Sequence, residues 1–179
     1  MIYDLPTTVD VDGVRHEIRA DYRAVLDILT ALSDSELTKG EQLNILLNIF
    51  YIEPPDNIEE AIKQCFGFIN RFQPDSDTPQ PKLMDWEQDF GLIADAITIK
   101  AGHDIRADEY MHWWTFVGYY MNIGDCFFAQ TISVRKKLAK GQKLDDSERE
   151  FYRSNRSLIE LNSKTTPEED ELLAAWIGG

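Results

Sequence analysis

The stretch from Asp108 to Ile123 constrains the fold more than any other part of the chain. It reads Asp-Glu-Tyr-Met-His-Trp-Trp-Thr-Phe-Val-Gly-Tyr-Tyr-Met-Asn-Ile. Tyr110, Trp113, Trp114, Val117, Tyr120 and Met121 recur at helical spacing and would share one face. His112, Phe116, Tyr119 and Ile123 make the other face apolar or aromatic as well. A helix that is greasy all round needs neighbours all round. Full burial of each large side chain contributes about 1.5–3 kcal/mol, so the segment is expected to be the hub of the fold, with Asp108 as its N-cap.

The segments before it carry helix signals with a single exception. Val9 and Val11, then Val14, His16 and Ile18, alternate with polar residues around Asp12-Gly13. That dipeptide favours a type I′ turn, so a short β-hairpin is expected, docked on helices because a lone hairpin is marginal in water. Asp21 is placed to cap a first helix with the stripe Tyr22, Val25, Leu26, Leu29 and Leu32. Thr38 and Glu41 have capping-box spacing ahead of Leu43, Leu46, Leu47 and Phe50, and Pro54-Pro55 stop that helix. Asn57 opens a third, with Ile58, Ala61, Ile62, Cys65, Phe66 and Ile69. Short connections make these three helices expected antiparallel neighbours.

Residues 73–84 change character, because Pro74, Pro79 and Pro81 cannot continue a helix. We take them as a loop or linker between residues 1–72, a hairpin plus helical half, and residues 85–162, an aromatic-rich helical half. Asp85, with Gln88 at the reciprocal position, opens a fourth helix that buries Trp86, Phe90, Ile93, Ala94 and Ile97 and ends at Gly102. After the aromatic segment, a helix carrying Phe127, Phe128, Ile132 and Leu138 ends in Arg135, Lys136, Lys137 and Lys140 before Gly141. Such cations suit the dipole at a helix C-terminus. Asp145 and Glu148 cap the next helix, expected to run to about Leu161. Residues 163–179 hold a last short helix, opened by Thr166-Pro167, with Leu172, Leu173 and Trp176 on one face. The fold class expected is mainly α: a multi-helix bundle with a short N-terminal β-hairpin.

Charge narrows the partners. Against 18 Lys and Arg stand 32 Asp and Glu, a net −14 over 179 residues. Such a chain repels phosphate backbones and anionic lipid, so neither nucleic acid nor membrane is expected as a partner. The start, Met-Ile-Tyr-Asp-Leu-Pro, has no basic region leading into a long apolar run, and no run spans a bilayer. Cys65 and Cys126 each lie in an apolar helical pattern, read as buried thiols of a reducing cytoplasm.

Residues with chemical potential are few. His103, Asp104, Asp108 and His112 are the one cluster of metal-ligating types, with Asp108 and His112 at i, i+4. Asp108 is read as a cap and His112 as a residue among aromatics, so no metal is expected. Asp85, Glu87, Asp89 and Asp95 are read as a solvated face plus an N-cap rather than as a carboxylate pair for acid–base work. Asp89-Phe90-Gly91 matches a kinase tripeptide without its context. No catalytic residue and no cofactor are therefore expected. A partner-binding surface is expected where the aromatic helix cannot be covered on both sides, around Phe116 and Tyr119, and on the sticky face of Leu172 and Trp176.

Three blocks carry a family resemblance. They are Asp85-Trp-Glu-Gln-Asp-Phe-Gly-Leu-Ile-Ala-Asp-Ala96, Tyr110-Met-His-Trp-Trp-Thr-Phe116 and Gln130-Thr-Ile-Ser-Val-Arg135, preceded by Leu5-Pro-Thr-Thr-Val-Asp-Val-Asp-Gly13 and Asp21-Tyr-Arg23. Together they resemble the bacteriophage gene-product-fifteen family of tail proteins, over the chain to about Ile159. The resemblance implies a tail assembly chaperone without catalysis. Its partners would be the tape-measure protein and tail-tube subunits of a long non-contractile tail, and homo-oligomers stay open. It would act in the host cytoplasm and be absent from the mature virion; the alternative is a minor tail protein retained in the particle.

Overall fold

The computed structural model describes residues 4–73 and 81–162. The chain is mainly α, with one two-stranded antiparallel sheet and eight helices among the described residues. It divides into two compact units. The first comprises residues 4–73 with Tyr110–Phe116, and the second residues 81–109 with 117–162. Most of the proline-rich segment, residues 74–80, and the C-terminal helix expected at 163–179 lie outside the described residues.

In the first unit, β1 (Thr8–Val11) pairs with β2 (Val14–Glu17) in the register Val11↔Val14 and Val9↔His16. Asp12 and Gly13 both have positive φ, +53° and +82°, as a type I′ turn requires. The Asp10 carboxylate accepts the Gly13 N–H at 2.8 Å and closes the turn. Val9, Val11 and Ile18 are buried, whereas Val14 at the tip is exposed. The outer edge of β2 does not end in water. Tyr51 bridges Ile18, and the Ile52 N–H donates to the Glu17 carbonyl at 3.0 Å.

Helices α1 (Tyr22–Leu32), α2 (Lys39–Phe50) and α3 (Ile58–Ile69) follow. Their expected caps are present: Asp21 accepts from the Arg23 N–H, Thr38 and Glu41 form a complete capping box, and Asn57 accepts from the Glu60 N–H. Helix α1 packs on α2, α2 on α3, and β1 on α3. Buried Gln42 donates from α2 to the Leu32 and Asp34 carbonyls, 3.2 and 2.9 Å away, and so satisfies carbonyls at the C-terminal end of α1. Tyr22, Val25, Ile28, Leu29, Leu46, Phe50, Tyr51 and Phe68 fill the core.

In the second unit, α4 (Trp86–Ala101) is followed by a single 3₁₀ turn, Ile105–Ala107. Gly102 ends α4 at φ +78°, the left-handed cap expected of it. Helices α6 (Phe127–Ala139), α7 (Asp146–Ser154) and α8 (Arg156–Ile159) complete the unit. Helix α6 packs on α4 and α8, and α7 on α8. The single helix expected from Asp145 to about Leu161 is instead two, α7 and α8. Asn155 interrupts it with φ −129°, its side chain donating back to the Phe151 carbonyl.

Helix α5 (Trp113–Met121) corrects the hub expectation in length and in its cap. Residues 108–112 are not helical. Asp108 closes the 3₁₀ turn instead, and its carboxylate takes the His103 ring. The backbone before α5 pairs with the entry to α1: Tyr22 N–H donates to the Met111 carbonyl at 2.9 Å, and Trp113 N–H to the Ala20 carbonyl at 2.7 Å. Those bonds to a distant strand-like segment outcompete a helical turn at 108–112. Tyr110 and Met121, expected on the buried face, are exposed.

Candidate functional site

The residues that carry the family resemblance prove to be the ones that hold each unit together. Met111 and His112 deliver Trp113 and Trp114 to the end of α3. There the two indole N–H groups donate to the Ile69 and Phe68 carbonyls, both at 2.9 Å. These carbonyls lie in the last turn of α3, where intrahelical partners run out, so the tryptophans act as a C-terminal cap. His112 takes the N-cap place of α5. Its Nδ1 accepts the Trp114 N–H at 3.0 Å while its Nε2 lies 2.9 Å from the Pro6 carbonyl. Only the neutral Nε2–H tautomer satisfies both bonds. Burial holds the His112 pKa below the usual histidine value, opposed by the Pro6 carbonyl.

Phe116, expected on a partner groove, is fully buried. Its ring stacks on Tyr22, with centroids 4.7 Å apart, and on Trp113. Its ring therefore belongs to the core of the first unit and presents no surface. Tyr119 is half-buried in the second unit. Leu172 and Trp176 lie outside the described residues.

The second unit is locked by a buried ion pair that sequence reasoning missed. Asp89, read as part of a solvated acidic face, is 1% exposed, and Arg135, read as a helix-end cation, is 5% exposed. Arg135 Nη1 and Nη2 donate to the two carboxylate oxygens of Asp89 at 2.6 and 2.9 Å. The remaining N–H groups reach the carbonyls of Leu83, Leu158 and Ile159 at 3.0, 2.7 and 2.7 Å. All five guanidinium donors are used, as burial of this cation demands. Asp89 also accepts the Asp85 N–H at 2.9 Å, the bond that Gln88 was expected to make. Gln88 instead clamps the chain after α8, donating to the Glu160 carbonyl and accepting the Asn162 N–H. The i, i+4 spacing of Asp85 and Asp89 was the available signal, but nothing in the sequence marks Arg135 as its partner.

The metal-like cluster does not assemble. His103 Nε2 sits 2.9 Å from Asp108, which raises the histidine's pKa chiefly through that hydrogen bond. Asp104 pairs with Arg106, and His112 is committed to Pro6 and Trp114. Among the described residues, no group of three or more His, Cys, Asp and Glu side chains is placed to hold a metal ion. Both cysteines are free. Cys65 is buried, and burial pushes its thiol pKa well up. Cys126 differs from its expected place: it is the N-cap of α6, its sulfur accepting the Ala129 N–H at 3.4 Å.

An open groove of about 780 Å³ lies in the first unit. Its polar lining comes from Arg19, Asp21, Arg23, Asp27, Asn48 and Tyr110, its apolar floor from Ile18, Ala20, Ala24 and Ile49. Arg19 is fixed by the end of α2, its Nη1 donating to the Asn48, Ile49 and Tyr51 carbonyls at 2.8, 2.9 and 2.5 Å. This is a cation on the negative end of a helix dipole. Arg23 pairs with Asp21 and lies 4.6 Å over the Tyr22 ring. Tyr110 leans in from the pre-α5 segment, its phenol pKa raised by partial burial and by Asp21. With Thr7 at its rim, the groove presents shape, hydrogen-bonding groups and charge of both signs.

No described helix is long and apolar enough to cross a membrane. Comparison with known families matches residues 1–161 to the family described as Bacteriophage Gp15 protein. No curated protein and no solved structure matches the chain.

Proposed function

We propose, from the premise that this chain belongs to the bacteriophage Gp15 family, that it is a tail assembly chaperone. In this reading it binds the tape-measure protein, and with it tail-tube subunits, while a long non-contractile tail is built. It acts in the host cytoplasm by binding alone, turns over no substrate and leaves before the particle is complete. The observation that carries the reading is the family match across residues 1–161, which includes all three blocks of the sequence resemblance.

Physical features support it. A tape-measure protein is expected to be a long helical chain with apolar stripes that aggregate unless covered. This chain offers the groove beside α1 and large apolar side chains left at helix surfaces, Ile99 at 77% and Met121 at 65% exposure among them. Its net charge of −14 would keep a loaded complex dispersed.

Co-expression tests the reading. The tape-measure protein encoded by the same phage should move into the soluble fraction, and co-purify, when this chain is present. A tape-measure protein equally soluble without it overturns the chaperone role. Mass spectrometry of purified particles should find this chain missing; its presence at fixed copy number would favour a retained tail component.

A further inference from the structure

Helix α7 has no buried residue, although it is strongly two-sided. Glu148, Phe151 and Tyr152, with Leu144 just ahead of the helix and Asn155 at its end, are half-buried and share one face. The remaining residues of the helix are exposed. It meets α6 through a ring pair and an ion pair. The Phe151 ring lies against Phe127, with centroids 5.1 Å apart, and Glu148 accepts from Lys137 at 2.5 Å. At nine residues, α7 is too short to be stable as an isolated helix.

Both ends of α7 are breaks, and what lies beyond each is held independently of it. Gly141, at φ +62°, follows α6, and Asn155, at φ −129°, separates α7 from α8. Helix α8 is pinned to α6 by Arg135, which donates to the Leu158 and Ile159 carbonyls, and Ile159 is 1% exposed. The α7 segment can therefore leave while α6 and α8 stay. Segments with few buried apolar side chains open at lower free energy than the core around them.

The face it meets is longer than α7 itself. Phe127, Thr131, Val134 and Leu138 recur at helical spacing on one side of α6. Thr131 and Val134 are buried, while Phe127 and Leu138 at the two ends are 39% and 42% exposed. From Phe127 to Leu138 runs about 16 Å of helix, against about 13 Å for the whole of α7. We infer that α7 is a displaceable cover, and that the Phe127 side of α6, flanked by Lys137, takes an amphipathic helix from a partner. That helix carries a carboxylate one turn ahead of an aromatic residue, as Glu148 and Phe151 do. The ring meets Phe127, the carboxylate meets Lys137, and a helix longer than α7 gains Leu138 besides. That the partner is a tape-measure helix rests on the chaperone reading; the displacement and the docking face do not, and their test uses no tape-measure protein.

Hydrogen exchange of the full chain reads the displacement. Amides of α7 should exchange about 100-fold or more faster than those in the middle of α4 and α6. Equal protection in the three helices overturns the inference. A labelled peptide with the sequence Lys143 to Arg156 is the probe for the face. It should bind the full chain with a Kd of about 0.1–1 mM. Binding is weak because the seat is free only in the fraction of molecules whose own α7 is away. Glu148→Gln/Phe151→Ser, which loosens the resident helix, should tighten the peptide about tenfold. Lys137→Glu should reject this peptide and accept one carrying Glu148→Lys. A peptide that binds the double variant no better than the parent chain overturns the docking face. So does one that binds Lys137→Glu unchanged. Circular dichroism checks that each variant stays folded, and the exchange measurement needs no variant.

Discussion

Asp89 and Arg135, 46 positions apart in the chain, meet in a bidentate pair that is almost wholly out of water, at 2.6 and 2.9 Å. The pair ties α4 to α6, and through the carbonyls of Leu158 and Ile159 it fixes α8 as well. Removing one partner leaves the other charged and unpaired in the core. Asp89→Asn and Arg135→Met should each lose about 3–5 kcal/mol in urea unfolding. The double variant Asp89→Leu/Arg135→Met should lose less than the two single losses combined, a coupling that a double-mutant cycle measures. Arg135→Lys should not rescue, because three ammonium donors cannot replace five in a planar fork.

The indole caps on α3 make a graded prediction. Trp113→Phe keeps most of the buried ring but leaves the Ile69 carbonyl without its donor. The expected cost is about 1–3 kcal/mol. Trp113→Ala adds a cavity, for about 3–5 kcal/mol in all. Denaturant midpoints of the two variants beside the parent chain measure both; equal losses would count against the hydrogen bond.

His112 makes stability acid-sensitive. Its folded pKa lies below the unfolded value, because burial favours the neutral ring. Below the ordinary histidine pKa of about 6.5 the unfolded chain takes up the proton first. The stabilisation is thus fully present above that pH and is lost as pH falls through the folded value. Protonation also puts a hydrogen on Nδ1, which then cannot accept the Trp114 N–H. His103 works in the opposite sense. Asp108 raises its pKa, so its contribution is present below the unfolded value and lost as pH rises through the folded one. Melting temperatures from pH 7.5 down to about 5 should fall less in His112→Asn than in the parent chain, since asparagine can cap α5 without titrating. In His103→Gln the fall should be steeper than in the parent.

Gly13 adopts φ +82° in the hairpin turn, with open space where a Cβ would stand. Gly13→Ala should therefore cost only the left-handed backbone penalty, about 1–2 kcal/mol, with no steric addition. Thermal unfolding reads the loss. The same change at Gly91, a helical position with equally open surroundings, should instead be neutral or stabilising.

What the sequence determined by itself was local. Asp12-Gly13 dictated the turn, and Asp21, Thr38 with Glu41, Asn57, Asp85 and Asp145 each cap the helix that their spacing announced. These signals work within a few residues, where backbone geometry and one hydrogen bond decide the outcome. Tertiary structure decided where a residue's partner lies far along the chain. The aromatic segment looked helical from Asp108, yet the backbone of residues 20–22 claims residues 111–113 first. Phe116 became core because Tyr22 lies against it. Asp89 looked like one more carboxylate of an acidic chain until Arg135 was brought beside it. Periodicity and composition report what a side chain is; they cannot report which group, dozens of residues away, will take it out of water.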